Sequence, residues 1–208
     1  MIEFVCASHN ENILEDNLLK SSIFKHRKLT VLRGFDNVAK AYNSHKPTSS
    51  VVVYVHHDVF LPDNFENSLL AAVFQLHTID KNWGALGSAG VKLEKSVKKN
   101  YGYISDRGNI WGSENGLPKE VQTLDELILI TKGDLIFDEN LPQDFYGADL
   151  CMQNQMRGRK NYAIKAFCHH NSGRAVGGRT DEFYKAQDYF ENKWKDHKPI
   201  VTTCSLLT

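Results

Sequence analysis

The sequence predicts an α/β fold in which a Rossmann-like half-sheet continues into a mixed central sheet with flanking helices. Apolar, β-branched runs at 2–7, 29–32 and 51–55 are typical of strands buried inside a parallel sheet. The segments between these runs carry apolar residues at helical spacing. Strand, helix, strand, helix, strand in this order is the pattern of a doubly wound half-sheet with right-handed crossovers.

The later elements follow from the same patterns. Helical spacing predicts four helices, at 13–19, 35–42, 64–77 and 144–157. Small or apolar runs predict strands at 83–91, 121–130 and 162–167, and the polar, glycine-punctuated stretch 92–116 predicts a hairpin or mobile flap between them. A glycine-rich loop over 173–178 precedes a last amphipathic helix. We therefore divide the chain into a main domain, 1–178, and a C-terminal helix and tail, 179–208, packed on that domain or on a partner.

Composition narrows the functional classes. The chain has 208 residues with 25 basic and 25 acidic side chains, so no global charge favours nucleic acid or an anionic membrane. No apolar run approaches the roughly 20 residues of a membrane-spanning helix, and no leader is visible. Four cysteines without Cys-x-x-Cys spacing indicate a reduced, cytoplasmic protein.

The main candidate site follows the third strand. His56, His57 and Asp58 come directly after the valine-rich run 51–55, at the sheet edge where α/β folds place their ligand crevice. The alternative is a turn in which Asp58 only caps the approach to the next helix. The turn after the first strand contains no glycine, and no phosphate loop appears, so the dehydrogenase and P-loop interpretations are weak.

Four short motifs, in this order and spacing, resemble those of family-2 glycosyltransferases with a GT-A fold. They are Ser8-His9-Asn10-Glu11; Ala39-Lys40-Ala41-Tyr42-Asn43 feeding the strand that ends in His56-His57-Asp58; Phe137-Asp138-Glu139 followed by Tyr146-Gly147-Ala148-Asp149-Leu150-Cys151 and Gly158; and His170-Asn171-Ser172-Gly173. The chain is most similar to the glycosyltransferase-like subfamily that includes the streptomycin-biosynthesis StrF-type domains. Two of the motifs depart from the family pattern, because His56 replaces an Asp and Tyr146-Gly147 replaces a Glu-Asp pair.

This resemblance implies inverting transfer of a sugar from a nucleoside-diphosphate sugar to the hydroxyl of a glycan or small-molecule acceptor. A divalent cation would neutralise the departing diphosphate. The predicted ligands are Asp58, His170 and His56, and the imidazoles favour Mn²⁺ over Mg²⁺. Ser8, Asn10, Asp36, Asn43 and Asp58 are the expected nucleotide-binding residues.

The acceptor must also lose a proton. Asp149 is the first candidate for this base by its place in the family block, although it could instead serve the terminus of its helix. Asp125 is the reserve candidate. A catalytically silent nucleotide- or glycan-binding relative remains the main alternative, and a nucleotidyltransferase is a weaker one. The aromatic face of the last helix is a possible homodimer interface.

Overall fold

The computed structural model describes residues 2–173 and 179–208, which form fifteen strands and five α-helices. The helices are α1 (Glu11–Asp16), α2 (Val38–Ser44), α3 (Phe65–Ile79), α4 (Tyr146–Met156) and α5 (Asp181–Lys193). The strands are β1 (Ile2–Ala7), β2 (Leu29–Leu32), β3 (Val51–Val55), β4 (Val59–Phe60), β5 (Leu86–Gly87), β6 (Ala89–Glu94), β7 (Val97–Asp106), β8 (Asn109–Ser113), β9 (Lys119–Val121), β10 (Thr123–Leu124), β11 (Ile128–Thr131), β12 (Asn161–Ala163), β13 (His169–His170), β14 (Ile200–Val201) and β15 (Leu206–Leu207).

The central sheet has seven strands in the order β2-β1-β3-β11-β5-β12-β9. The first three strands are parallel, as the half-sheet pattern predicts, and their bounds coincide with the three apolar runs. Strand β11 then runs antiparallel to both β3 and β5, which makes the sheet mixed. The carboxyl ends of β1, β2 and β3 therefore open at one edge.

A second sheet includes β4, which follows β3 directly in the chain. Its order is β10-β6-β7-β13-β4, and β8 adds to β7. The predicted hairpin over 92–116 is confirmed as the antiparallel ribbon of β6, β7 and β8. The two-residue strands β4 and β13 pair with each other, so the segment that follows β3 is joined to a segment far along the chain.

Several predicted elements are shorter or divided. The first helix ends at Asp16 and continues only as a 3-10 turn, Leu18–Lys20. The predicted strand 83–91 is split between the two sheets at Ser88, whose hydroxyl donates to the carbonyl of Ala166 at 2.6 Å. The run 121–130 likewise divides among β9, β10 and β11. Most of the predicted glycine-rich loop, 174–178, lies outside the described residues.

The C-terminal segment packs on its own chain. On α5, Phe183, Phe190 and Trp194 are buried in the same core cluster as α4. Because this aromatic face is covered within the chain, it does not support the predicted dimer interface there. Across the two described stretches, no helix combines the length and apolar character needed to cross a bilayer.

Candidate metal and nucleotide site

Strand pairing brings the predicted metal ligands together. His56, His57 and Asp58 link β3 to β4, and β13 pairs with β4 so that His170 lies opposite Val59. The backbone N–H of Asn171 donates to the carbonyl of Asp58 at 2.9 Å, which fixes the register at that point. His170 is thereby placed beside Asp58, although 112 residues separate them in the sequence.

His56, Asp58 and His170 form a cluster in which one nitrogen or oxygen atom of each lies within 4.8 Å of the others. The Nε2 atom of His170 is 3.6 Å from Oδ2 of Asp58, and Nδ1 of His56 is 4.0 Å from its Oδ1. That Oδ1 is buried without a hydrogen-bond partner among the described residues. A buried oxygen of this kind is costly unless a cation or donor satisfies it, so the cluster fits a divalent ion.

Two further side chains orient the imidazoles. The Nδ1 atom of His170 is 3.0 Å from Oδ1 of Asp106, the residue opposite it on β7. The Nε2 atom of His56 is 2.6 Å from the hydroxyl of Tyr146 on α4. Each ring thus has one nitrogen held by protein and the other turned toward Asp58, which is the arrangement of imidazoles that bind metals. No motif in the sequence marks Asp106 or this role of Tyr146.

The cluster is electrostatically coupled. Burial alone would raise the pKa of Asp58, but contact with His170 and the nearby imidazoles of His56 and His57 outweighs it and lowers the pKa to about 2. Burial lowers the pKa of His56, and the charge of Asp58 offsets only part of this shift. Burial would also lower the pKa of His170, but contact with Asp58 outweighs it and raises the pKa. Asp58 is therefore a carboxylate throughout the neutral range, as a metal ligand must be.

His57 belongs to a neighbouring group on the β1 side. Its Nδ1 atom is 3.0 Å from the hydroxyl of Ser8, and its ring centroid is 4.8 Å from that of His9. Asn10 caps α1 by accepting from the N–H of Ile13. These residues line the same sheet edge as the metal cluster, and Asp36 is exposed beyond the end of β2.

Two other predicted site residues have structural partners. Asn43 bonds both the N–H and the carbonyl of Phe137, so it ties α2 to the turn before α4. Asp149 is fully buried, and its carboxylate accepts from the indole N–H of Trp194 at 2.8 Å and lies 2.6 Å from the ammonium of Lys193. This placement gives Asp149 a structural role, the anchoring of α5 to α4, which differs from the predicted alternative of a role at the terminus of its own helix.

Two further carboxylates, Asp125 and Glu126, lie on the link between β10 and β11. The charge of Asp125 raises the pKa values of both His56 and His170 as a minor cause. Oε1 of Glu126 accepts from the backbone N–H of Gly147, in the first turn of α4, at 2.9 Å. Both carboxylates are embedded in a largely apolar run, where such groups need partners or solvent.

A cavity of about 350 Å³ lies elsewhere. It is lined by residues of β6, β9 and the segment after α4, among them Lys92, Gln122 and Arg159. None of the predicted site residues lines it, so the site rests on the cluster at the edge of β3.

Comparison with known proteins agrees with this geometry. Residues 6–193 match the model of a family described as "Glycosyltransferase like family". A curated protein of Fuscovulum blasticum, "ATP synthase subunits region ORF 6", is 31% identical over 153 residues, which cover 69% of this chain and 59% of that protein. The chain thus spans less than two thirds of the length of this relative.

Solved glycosyltransferases share the fold at low identity. GalNAc-T7 with UDP, GalNAc and Mn²⁺ has a TM-score of 0.59 at 10% identity, over 95% of this chain and 49% of that one. The mannosyltransferase PcManGT from Pyrobaculum calidifontis, in complex with GDP-Man and Mn²⁺, has a TM-score of 0.50 at 15% identity, over 86% of this chain and 57% of that one. TarS 1–349 of S. aureus in complex with UDP has a TM-score of 0.50 at 13% identity, over 93% of this chain and 72% of that one.

These likenesses confirm the GT-A fold that the motifs predict. The family match covers the half-sheet from the end of β1 onward, the imidazole–carboxylate cluster and the helix α4 that borders it. The chain therefore belongs to the glycosyltransferase-like family.

Proposed function

We propose that this protein is a glycosyltransferase that takes a sugar from a nucleoside-diphosphate sugar and passes it, with inversion, to a hydroxyl acceptor. The observation that carries the proposal is the cluster of His56, Asp58 and His170 at the carboxyl edge of β3. The fold supports it, since structures with the same fold were solved with UDP or GDP-Man, two of them with Mn²⁺. We infer the StrF-type subfamily from the sequence motifs alone.

In this proposal Asp58, His170 and His56 hold Mn²⁺, which would stabilise the charge that develops on the diphosphate. Two imidazoles and one carboxylate favour Mn²⁺ over Mg²⁺, because Mg²⁺ prefers oxygen ligands alone. Asp106 and Tyr146 keep the two rings turned toward the ion. The buried Oδ1 of Asp58 would gain the partner that it lacks.

The nucleoside would lie over the neighbouring edge of the half-sheet. Ser8 and Asn10 follow β1 and Asp36 follows β2, so their polar groups meet at one edge. The side chain of Asn43 makes two hydrogen bonds with the backbone of Phe137. It would have to break them to contact the nucleotide directly.

The acceptor hydroxyl must give its proton to a carboxylate. Asp149 is enclosed by Trp194 and Lys193, so the proposal places the base among the two carboxylates between β10 and β11. Asp125, the reserve candidate, has one oxygen engaged by the N–H of Leu127 at 3.2 Å.

Calorimetric titration with UDP-, GDP- and dTDP-sugars, with and without Mn²⁺, tests the proposal. Mn²⁺-dependent binding followed by release of nucleoside diphosphate is the expected result. Asp58→Asn should abolish the Mn²⁺-dependent part of the binding, whereas Asp188→Asn, a change at an exposed carboxylate on α5, should leave it intact. Equal donor affinity in Asp58→Asn would remove that residue from the site.

A catalytically silent relative is the second candidate. The observation in its favour is that Gly147 offers no side chain where the family motif has a carboxylate, and that Asp149 is sequestered. It predicts Mn²⁺-dependent binding without release of nucleoside diphosphate. A cytoplasmic location and a homodimer remain predictions from the sequence.

A further inference from the structure

We propose that the cavity bounded by β6, β9 and the segment after α4, here called the β9 cavity, binds a saccharide that carries a phosphate or carboxylate group. None of the residues assigned to the transfer reaction lines the β9 cavity. This inference therefore goes beyond the proposed function and does not depend on it.

The first observation is the size and position of the β9 cavity. Its volume, about 350 Å³, lies within the range of roughly 300–1,000 Å³ that small-molecule sites occupy in proteins. Strand β9 ends the central sheet, four strand positions from β3. At about 4.8 Å a strand, this separation is roughly 19 Å along the sheet. A ligand in the β9 cavity is therefore bound apart from the metal cluster at the edge of β3.

The second observation is the charge of the wall. Three cationic side chains line the β9 cavity together with one carboxylate, and these residues are Lys92, Arg159, Lys160 and Glu120. Lys160 and Glu120 pair with each other at 2.8 Å, and both side chains are about half exposed. The charges of Lys92 and Arg159 therefore remain in excess, although the whole chain has equal numbers of basic and acidic residues. A wall with this excess of positive charge attracts an anionic ligand.

The third observation is how these two cations are held. Arg159 pairs through Nη1 with Asp134, and Nζ of Lys92 lies 3.0 Å from Oε1 of Glu94. Neither of these carboxylates lines the β9 cavity. A guanidinium has five N–H donors in a planar fork, and among the described residues only Nη1 of Arg159 makes a hydrogen bond. The contact with Asp134 thus orients Arg159 and leaves further donors of the fork for a phosphate or carboxylate group.

The fourth observation is a pair of amide side chains that suit the sugar part of the ligand. Gln122 donates to the carbonyl of Pro199 at 3.1 Å and accepts from the N–H of Val201 at 2.9 Å, so the C-terminal segment fixes its position. Gln155 donates to the carbonyl of Gln122 at 2.7 Å, and its Oε1 has no partner among the described residues. That oxygen is an acceptor for a hydroxyl group, while Leu93 and Pro199 give the wall apolar surface.

In the complex that we infer, the anionic group lies against Arg159 and Lys92, and a hydroxyl group of the sugar donates to Gln155. No covalent bond is made or broken. A neutral sugar leaves the two cations without a counter-charge, and inorganic phosphate lacks the hydroxyl-bearing ring. Both should therefore bind more weakly than the anionic sugar.

Isothermal titration of the full chain tests the site at constant ionic strength and without Mn²⁺. The probes are glucose 6-phosphate, glucuronate, glucose and inorganic phosphate. We expect saturable binding of at least one of the two anionic sugars, with glucose and inorganic phosphate weaker by roughly 10-fold or more. The comparison of glucose 6-phosphate with glucuronate identifies which anionic group the cavity prefers.

Variants of the two cations test their assignment. Arg159→Gln should weaken binding of the anionic sugar by roughly 10- to 100-fold, and Arg159→Lys, which keeps the charge without the fork, should lose less. Asp134→Asn is the matched control, because it breaks the same ion pair from outside the cavity and should not weaken binding. Lys92→Gln should also weaken binding, and it tests the wall independently if Arg159→Gln does not fold. The thermal midpoint of each variant shows whether it is folded.

Amide chemical shifts of the ¹⁵N-labelled protein locate the bound probe. Shifts at 119–122 and 157–161 support the β9 cavity, whereas shifts confined to 56–58 and 170 place the anion at the metal cluster and overturn the proposal. The proposal is also overturned if neither anionic sugar binds saturably, if glucose or inorganic phosphate binds as tightly, or if the cation variants keep full affinity. Each of these results leaves the proposed transfer standing, and a failure to bind any sugar nucleotide would leave the β9 cavity standing.

Discussion

Replacing Asp106 should weaken the binding of Mn²⁺ although Asp106 is not one of the predicted ligands. Its Oδ1 lies 3.0 Å from Nδ1 of His170 and keeps Nε2 turned toward Asp58. Removing a carboxylate that orients a ligating imidazole typically costs about 10–100-fold in metal affinity. The side chain of Asp106 is 42% exposed, so water can replace part of its contact with the ring. We therefore expect Asp106→Ala to lose about 10-fold, or about 1.4 kcal/mol.

Electron paramagnetic resonance of free Mn²⁺, titrated without nucleotide, measures this affinity directly. Asp106→Asn keeps an oxygen that accepts from the ring and should recover part of the loss. Asp16→Asn changes an exposed carboxylate that pairs with Lys20 on another part of the surface and should have no effect. Unchanged Mn²⁺ affinity in Asp106→Ala would refute the orienting role and weaken the assignment of His170 as a ligand.

Three further changes test neighbouring contacts. Tyr146→Phe removes the hydroxyl 2.6 Å from His56 and should lower Mn²⁺ affinity roughly 10-fold with the fold intact; equal affinity would count against His56 as a ligand. Trp194→Phe removes the indole N–H that donates to buried Asp149 and should cost about 2 kcal/mol in urea unfolding; a loss near zero would contradict the anchoring role. Although burial opposes it, contact with Lys193 and neighbouring donors lowers the pKa of Asp138 to about 2. Ionised Asp138 therefore contributes about 2 kcal/mol to the free energy of unfolding above about pH 4, and this contribution is lost as pH falls toward 2. The Asp138→Asn variant should have a lower free energy of unfolding than the unaltered protein at neutral pH only. An equal difference between the two proteins at low pH would contradict this.

The half-sheet could be predicted from sequence because its signal is local. Strands β1, β2 and β3 are mostly apolar runs, with Glu3 and Thr30 as the polar exceptions, and each strand ends where a polar residue follows. Strands β4 and β13 have two residues each, too few for any periodic pattern. Their existence depends on long-range pairing, which sequence spacing does not encode.

That pairing decides the site. His170 was a predicted ligand through its motif, but its place beside Asp58 results from the register of β13 on β4. The same register places Asp106 opposite His170 on β7. No motif marks Asp106, because its role comes from a strand neighbour 64 residues away in sequence.

Asp149 and Glu126 show in two ways that a sequence motif does not determine where a carboxylate lies. Asp149 lies where the family block has an acidic residue, yet Trp194, 45 residues later, encloses it. Glu126 lies outside the block, yet its carboxylate fills the space next to Gly147. A proton acceptor is defined by where its oxygen lies relative to the acceptor and the donor, and two different backbone positions can present an oxygen at one place. The absence of a carboxylate at position 147 therefore has to be weighed together with the carboxylates that other elements bring to the start of α4.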